Sequence, residues 1–176
     1  MNSKIKSIIN IIGFYIGWWA CVLGTANDIP YLGPAVMILF LIVHYYLFVS
    51  DIQEIYLVLI IGIIGTITDS LLFLSGSFIY AGAYSNEILI APMWITAMWA
   101  GFAATVNHSM SWLKDKWLLM VICGVVFGPV AFFTGEKFGA IEFYLSALLS
   151  VLVIAIVYGI LMPAIYFLNR HLGLDE

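Results

Sequence analysis

Apolar residues in this chain come in runs too long for strands and too rarely interrupted for a fold that lives in water. Six such runs cover residues 8–24, 31–49, 55–74, 88–107, 117–133 and 143–167. Each approaches the roughly 20 residues that a helix needs to cross the hydrocarbon core of a bilayer. Within them the apolar character is continuous, which excludes the alternation of a membrane barrel strand. The chain is 64% hydrophobic and 9% charged over 176 residues. A soluble domain carries about 25% charged residues, so too few charges exist here to face water and lipid must be the main solvent. The predicted fold class is all-α: a polytopic membrane protein with six transmembrane helices in one integral membrane domain, residues 1–176.

The breaks between runs carry their own chemistry. Asn27-Asp28-Ile29-Pro30 reads as a turn, with Gly33-Pro34 close behind it at a helix start. Ser50-Asp51-Ile52-Gln53-Glu54 has the pattern of a capping box, Asp51 accepting from the next turn and Glu54 reaching back. The longest loop runs from Ser75 to Glu87. Lys114-Asp115-Lys116 lies between Trp112 and Trp117, two residues suited to the membrane interface. The first run is longer than a signal-peptide core and contains Trp18 and Trp19, so it reads as an uncleaved helix. With six alternating spans, Lys4, Lys6, Lys114, Lys116 and Arg170 fall on one side and only Lys137 on the other. The positive-inside rule then places both termini in the cytoplasm.

Asp69 is the sharpest polar feature. An aspartate near mid-membrane costs about 2.5–3.5 kcal/mol on insertion scales. It lies six residues before Ser75, about 9 Å inside that boundary at 1.5 Å per residue. Trp94 falls at a similar depth, and Trp99 one turn further along. Two readings stay open. Asp69 binds a proton, a cation or a polar substrate group, or it locks helices together through Thr96 or a tryptophan N–H. A second layer forms toward the other boundary, with His44, Asn107 and His108. It should lie roughly 12–20 Å from Asp69 along the membrane normal. His108 with Asn107 fits a headgroup ligand or a general base, but equally a polar helix end. His44, beside Tyr45 and Tyr46, fits an aromatic belt as readily. Gly62, Gly65, Thr66 and Asp69 share one helix face, and Ala97, Gly101, Thr105 and Ser109 another. Small residues at this spacing predict close packing of the third and fourth helices.

Several chemistries drop out. The net charge of −4 and the absence of a basic patch exclude a nucleic-acid partner. Three scattered histidines and no His-Glu-x-x-His predict no metal site, and no glycine-rich phosphate loop or other cofactor motif is present. A single intramembrane aspartate cannot form an aspartyl dyad. Cys21 and Cys123 fall near opposite membrane faces, which argues against a disulfide. Trp19-Ala20 and Trp99-Ala100 form the one internal echo, too little to predict an inverted repeat.

Gly65-x-x-x-Asp69-Ser70, Ala91-Pro92-Met93-Trp94 with Met98-Trp99, Asn107-His108-Ser109-x-x-Trp112-Leu113, Gly128-Pro129 and Gly135-x-x-x-Gly139-Ala140 together form a recognisable set. They resemble a family of small bacterial integral membrane proteins, domain of unknown function 2878. The resemblance spans most of the chain and is most specific from Pro92 to Leu113. It implies a multi-pass protein of the bacterial inner membrane and assigns no residue a role. Three functions therefore stand side by side. The first is binding or transport of a lipid-like or small amphipathic molecule, with Asp69, Trp94, Trp99, Asn107, His108 and His44 as its polar contacts. The second is a lipid-modifying enzyme with His108 as acid or base. The third is a structural membrane subunit, compatible with a homo-oligomer in the bilayer.

Overall fold

The computed structural model describes residues 3–84 and 89–174. Six helices follow one another: α1 (Ser3–Ala26), α2 (Leu32–Leu47), α3 (Ile52–Leu74), α4 (Met93–Ala103), α5 (Trp117–Lys137) and α6 (Ala147–His171). Two short strands, β1 (Phe78–Tyr80) and β2 (Ile141–Phe143), form a ribbon, and a 3-10 turn spans Ser111–Leu113. Helices α1, α3, α5 and α6 are long and apolar enough to cross a membrane. Their outer faces match that environment, with Ile12, Ile63, Phe127 and Ile160 all exposed. Soluble monomers do not carry apolar surface on this scale. Trp112 and Trp117 are exposed as well, and Lys116 Nζ lies 5.9 Å over the Trp112 ring. Both cysteines are free and buried.

Helix α4 departs from the sequence reading. It was expected to continue to residue 107 and ends at Ala103; its expected start at Ile88, and the loop end at Glu87, lie outside the described residues. At 1.5 Å per residue it spans about 16 Å, roughly half of a bilayer core. The cause is local competition for carbonyls. Thr105 sends both its N–H (2.9 Å) and its hydroxyl (2.6 Å) to Phe102 O, the acceptor that a continuing helix would give to residue 106. Val106 and His108 then make three-residue turns, to Ala103 O and Thr105 O. Backbone groups that leave a helix ladder in a buried place need partners from elsewhere in the protein. Asn10 of α1 is one here, donating to Ala104 O at 3.0 Å and accepting from Ser109 Oγ at 2.6 Å. Tyr166 of α6 donates to Met110 O at 2.8 Å. Asn10→Leu should therefore lower stability by about 1–3 kcal/mol through the groups it strands, read as a drop in thermal midpoint in detergent.

The other end of the molecule is built from two matching turns. After α3, Gly76 at φ +69° donates to Phe73 O and Ser77 to Leu72 O. After α5, Gly139 at φ +83° donates to Glu136 O and Ala140 to Gly135 O. Both are Schellman endings, which need a left-handed residue that glycine supplies without strain. They feed β1 and β2, which pair antiparallel with Ile79 opposite Glu142. The units α3–β1–α4 and α5–β2–α6 thus repeat the same parts in the same order, a correspondence that does not involve the Trp19 and Trp99 echo. Pro129 and Pro163 both lie inside continuous helices.

Packing follows the small residues. On α3, Gly62 and Gly65 face α4: a Cβ at Gly62 would stand 3.6 Å from Ala100, and one at Gly65 would fall within the Trp99 ring. Thr66 and Thr96 share a hydroxyl hydrogen bond of 2.7 Å across the same seam. Gly101 of α4 points instead at Met37 of α2, so the small stripe on α4 serves two neighbours.

Candidate functional site

The absence of a side chain at Gly65 lets the Trp99 indole lie flat along α3 and reach one turn further. There Trp99 Nε1 donates to Asp69 Oδ2 at 2.6 Å. The Tyr80 hydroxyl, delivered by β1, donates to Asp69 Oδ1 at 2.7 Å. Asp69 is 1% exposed, so these donors replace the water a buried carboxylate loses. Burial, and then the neighbouring Asp69 charge, hold the Tyr80 phenol well above its ordinary range, which keeps it a donor. Each carboxylate oxygen still has lone-pair capacity beyond its one partner. Of the two partners considered for Asp69, the tryptophan N–H is the one used; Thr96 binds Thr66 instead.

A cavity of about 90 Å³ adjoins this carboxylate. Its walls include Phe14 and Trp18 of α1, Trp94 and Met98 of α4, Phe132 of α5 and Tyr158 of α6. Helix α1 packs on α2 and α4, and α5 packs on α6; the cavity lies between these two groups. Trp19 meets Phe138 edge-on at 5.2 Å on the ribbon side. Tyr158 stacks on Trp99 at 5.3 Å, and among the described residues its hydroxyl makes no hydrogen bond. Trp94 adds a wall and anchors itself by donating to Ala81 O at 2.9 Å. The lining is thus mostly apolar and aromatic, with Asp69 and Tyr158 among its residues.

The second predicted layer separates into two arrangements. Asn107 turns toward α6 and donates to Asn169 Oδ1 at 2.9 Å. His108, its neighbour, turns toward α3, where its Nε2 lies 2.7 Å from Glu54 Oε1. His44 of α2 joins from the other side, Nε2 3.4 Å from the same oxygen. The two imidazole centroids are 5.0 Å apart, and Phe48 stacks on His44 at 5.5 Å. Histidines far apart in sequence are therefore adjacent, with a carboxylate between them. Glu54 does not close a capping box: Asp51 accepts from Gln53 N at 3.3 Å, while the Glu54 side chain turns inward and is 4% exposed.

The family model for a protein of unknown function, DUF2878, matches residues 7–164. The chain belongs to the DUF2878 family. The match takes in Asp69 with its partners Tyr80 and Trp99, the Tyr158 wall, and His44, Glu54 and His108; Tyr166 and Asn169 lie beyond it. No curated protein and no solved structure matches the chain.

Four residues of the DUF2878 chain that shape these sites escaped the sequence reading. Asn10 had a signal, since an amide among isoleucines in a membrane run carries the same kind of cost as Asp69. Glu54 had none, because a local capping pattern already explained it. Tyr80 and Tyr158 had none either, because their roles come from strand pairing and from the packing of α6 on α5.

Proposed function

We propose that this membrane protein binds an amphipathic, lipid-like molecule in the cavity beside Asp69. One observation carries the reading: a hydrogen-bonded carboxylate and Tyr158, whose hydroxyl makes no hydrogen bond among the described residues, line a space otherwise walled by aromatic and aliphatic groups. Such a space favours a ligand with an apolar body and a hydroxyl or amine head, the head donating to Asp69 or Tyr158. The gap between the α1 and α5 groups suits lateral entry of a chain-like ligand from the bilayer. In the wider setting we read six crossings of a bacterial inner membrane, α2 and α4 being the short ones beside the four long helices, and with six crossings the basic residues place both termini in the cytoplasm.

The test is to purify the protein in a mild detergent and identify retained molecules by native mass spectrometry. Wild type should carry a bound amphiphile that Asp69→Asn loses while its helical circular dichroism stays unchanged. Equal retention by Asp69→Asn and by Tyr158→Phe would sink the proposal, as would a wild-type spectrum with no adduct.

A further inference from the structure

We propose that His44, Glu54 and His108 form a site for one divalent transition-metal ion of the zinc type, separate from the Asp69 cavity. The donor atoms all lie within 4.8 Å of one another. Zinc bonds to imidazole nitrogen and carboxylate oxygen are about 2.0–2.2 Å, so tetrahedral ligand atoms stand roughly 3.3–3.5 Å apart. His44 Nε2 and Glu54 Oε1 are already at 3.4 Å, and His108 Nε2, at 2.7 Å, needs to draw back by less than ~1 Å. The ligands come from α2, α3 and the turn after α4, with Phe48 stacked on His44, so three separate elements fix the triangle.

A second observation points the same way. His44 is 2% exposed, and its Nε2, aimed into the triangle, makes no hydrogen bond among the described residues, its contact with Glu54 Oε1 being a long 3.4 Å. Buried polar atoms rarely go unpaired, and an ion at the centre of the triangle gives this one its bond. Two imidazoles and a carboxylate suit zinc, and also iron(II), rather than calcium or magnesium, which prefer oxygen alone. Three protein ligands leave a position open for water or another molecule, the pattern of reactive rather than purely structural zinc sites. The His108 side chain, 17% exposed, gives that position its access.

Asn10 Nδ2 stands 3.4 Å from His44 Nδ1, on the side of the ring away from the triangle. As the side chains stand, its amide nitrogen faces Nδ1 and also donates to Ala104 O. Metal at Nε2 places the imidazole proton on Nδ1, so this long contact is given up on binding while Asn10 keeps its bonds to Ala104 and Ser109.

The experiment is a Co²⁺ titration of chelator-stripped protein free of any histidine tag. Wild type should show saturable visible d–d bands at one ion per chain, which Zn²⁺ abolishes, together with a higher thermal midpoint on adding Zn²⁺. Glu54→Gln, His44→Ala and His108→Ala should each lose the bands, and His171→Ala, altering the exposed tail histidine, should keep them. Absence of saturable bands in wild type overturns the site whatever the variants do. Bands that survive His44→Ala and His108→Ala but vanish with His171→Ala overturn it too. Neither result touches the amphiphile reading, which rests on other residues.

Discussion

Gly65→Ala is expected to destabilise the protein by about 1–3 kcal/mol, whereas Gly62→Ala, on the same face of α3, should leave stability unchanged or raise it. Replacing glycine by alanine inside a helix ordinarily gains roughly 0.5–1 kcal/mol. At Gly62 the new methyl would stand in ordinary contact, 3.6 Å from Ala100, so that gain is kept. At Gly65 the methyl would overlap the indole of Trp99, a ring already fixed by its bond to Asp69 and its stack on Tyr158. Overpacking of this kind costs about 1–3 kcal/mol, and relief comes only by breaking the Trp99–Asp69 bond. Thermal unfolding of both variants in one detergent measures the contrast. Equal midpoints would show that the close seam between α3 and α4 is not where the stability lies.

Asp69→Leu carries the second large effect. If the carboxylate were only a charge tolerated in an apolar place, an aliphatic side chain would relieve the insertion cost of about 2.5–3.5 kcal/mol and stabilise the fold. The geometry predicts the reverse. Leucine would leave the Trp99 N–H and the Tyr80 hydroxyl without acceptors, at about 1–3 kcal/mol each. The expected loss is about 2–6 kcal/mol, with the cooperativity of unfolding reduced as β1 loosens. Asp69→Asn keeps one carbonyl oxygen for one of the two donors and should fall between wild type and leucine. A leucine variant more stable than wild type would mean that the hydrogen bonds add nothing, and the cavity would lose its anchor.

Much of the architecture was legible because lipid imposes a simple rule on sequence. The long helices fall where the apolar runs lie, and the strongest polar intrusion, Asp69, is indeed buried and hydrogen-bonded. What escaped was set by partners distant in the chain. The run through residue 107 is apolar enough to read as helix, but Thr105 ends it locally and Asn10 supports the result from 94 positions away. Glu54 satisfied a local pattern so well that its inward turn toward two histidines had no sequence mark. Tyr80 sits where a loop was expected, and only pairing with residues near 142 makes it a strand that can hold the carboxylate.

The early ending of α4 has a consequence for how the chain is made. The turns that follow it take partners from elsewhere in the chain, from Asn10, made before them, and from Tyr166, made with α6. The region around His108 therefore gains its last brace only once α6 has been made. A nascent chain cut short before α6 would hold its first five helices and still lack the brace that sets this turn. In that sense the break ties the centre of the molecule to the arrival of α6.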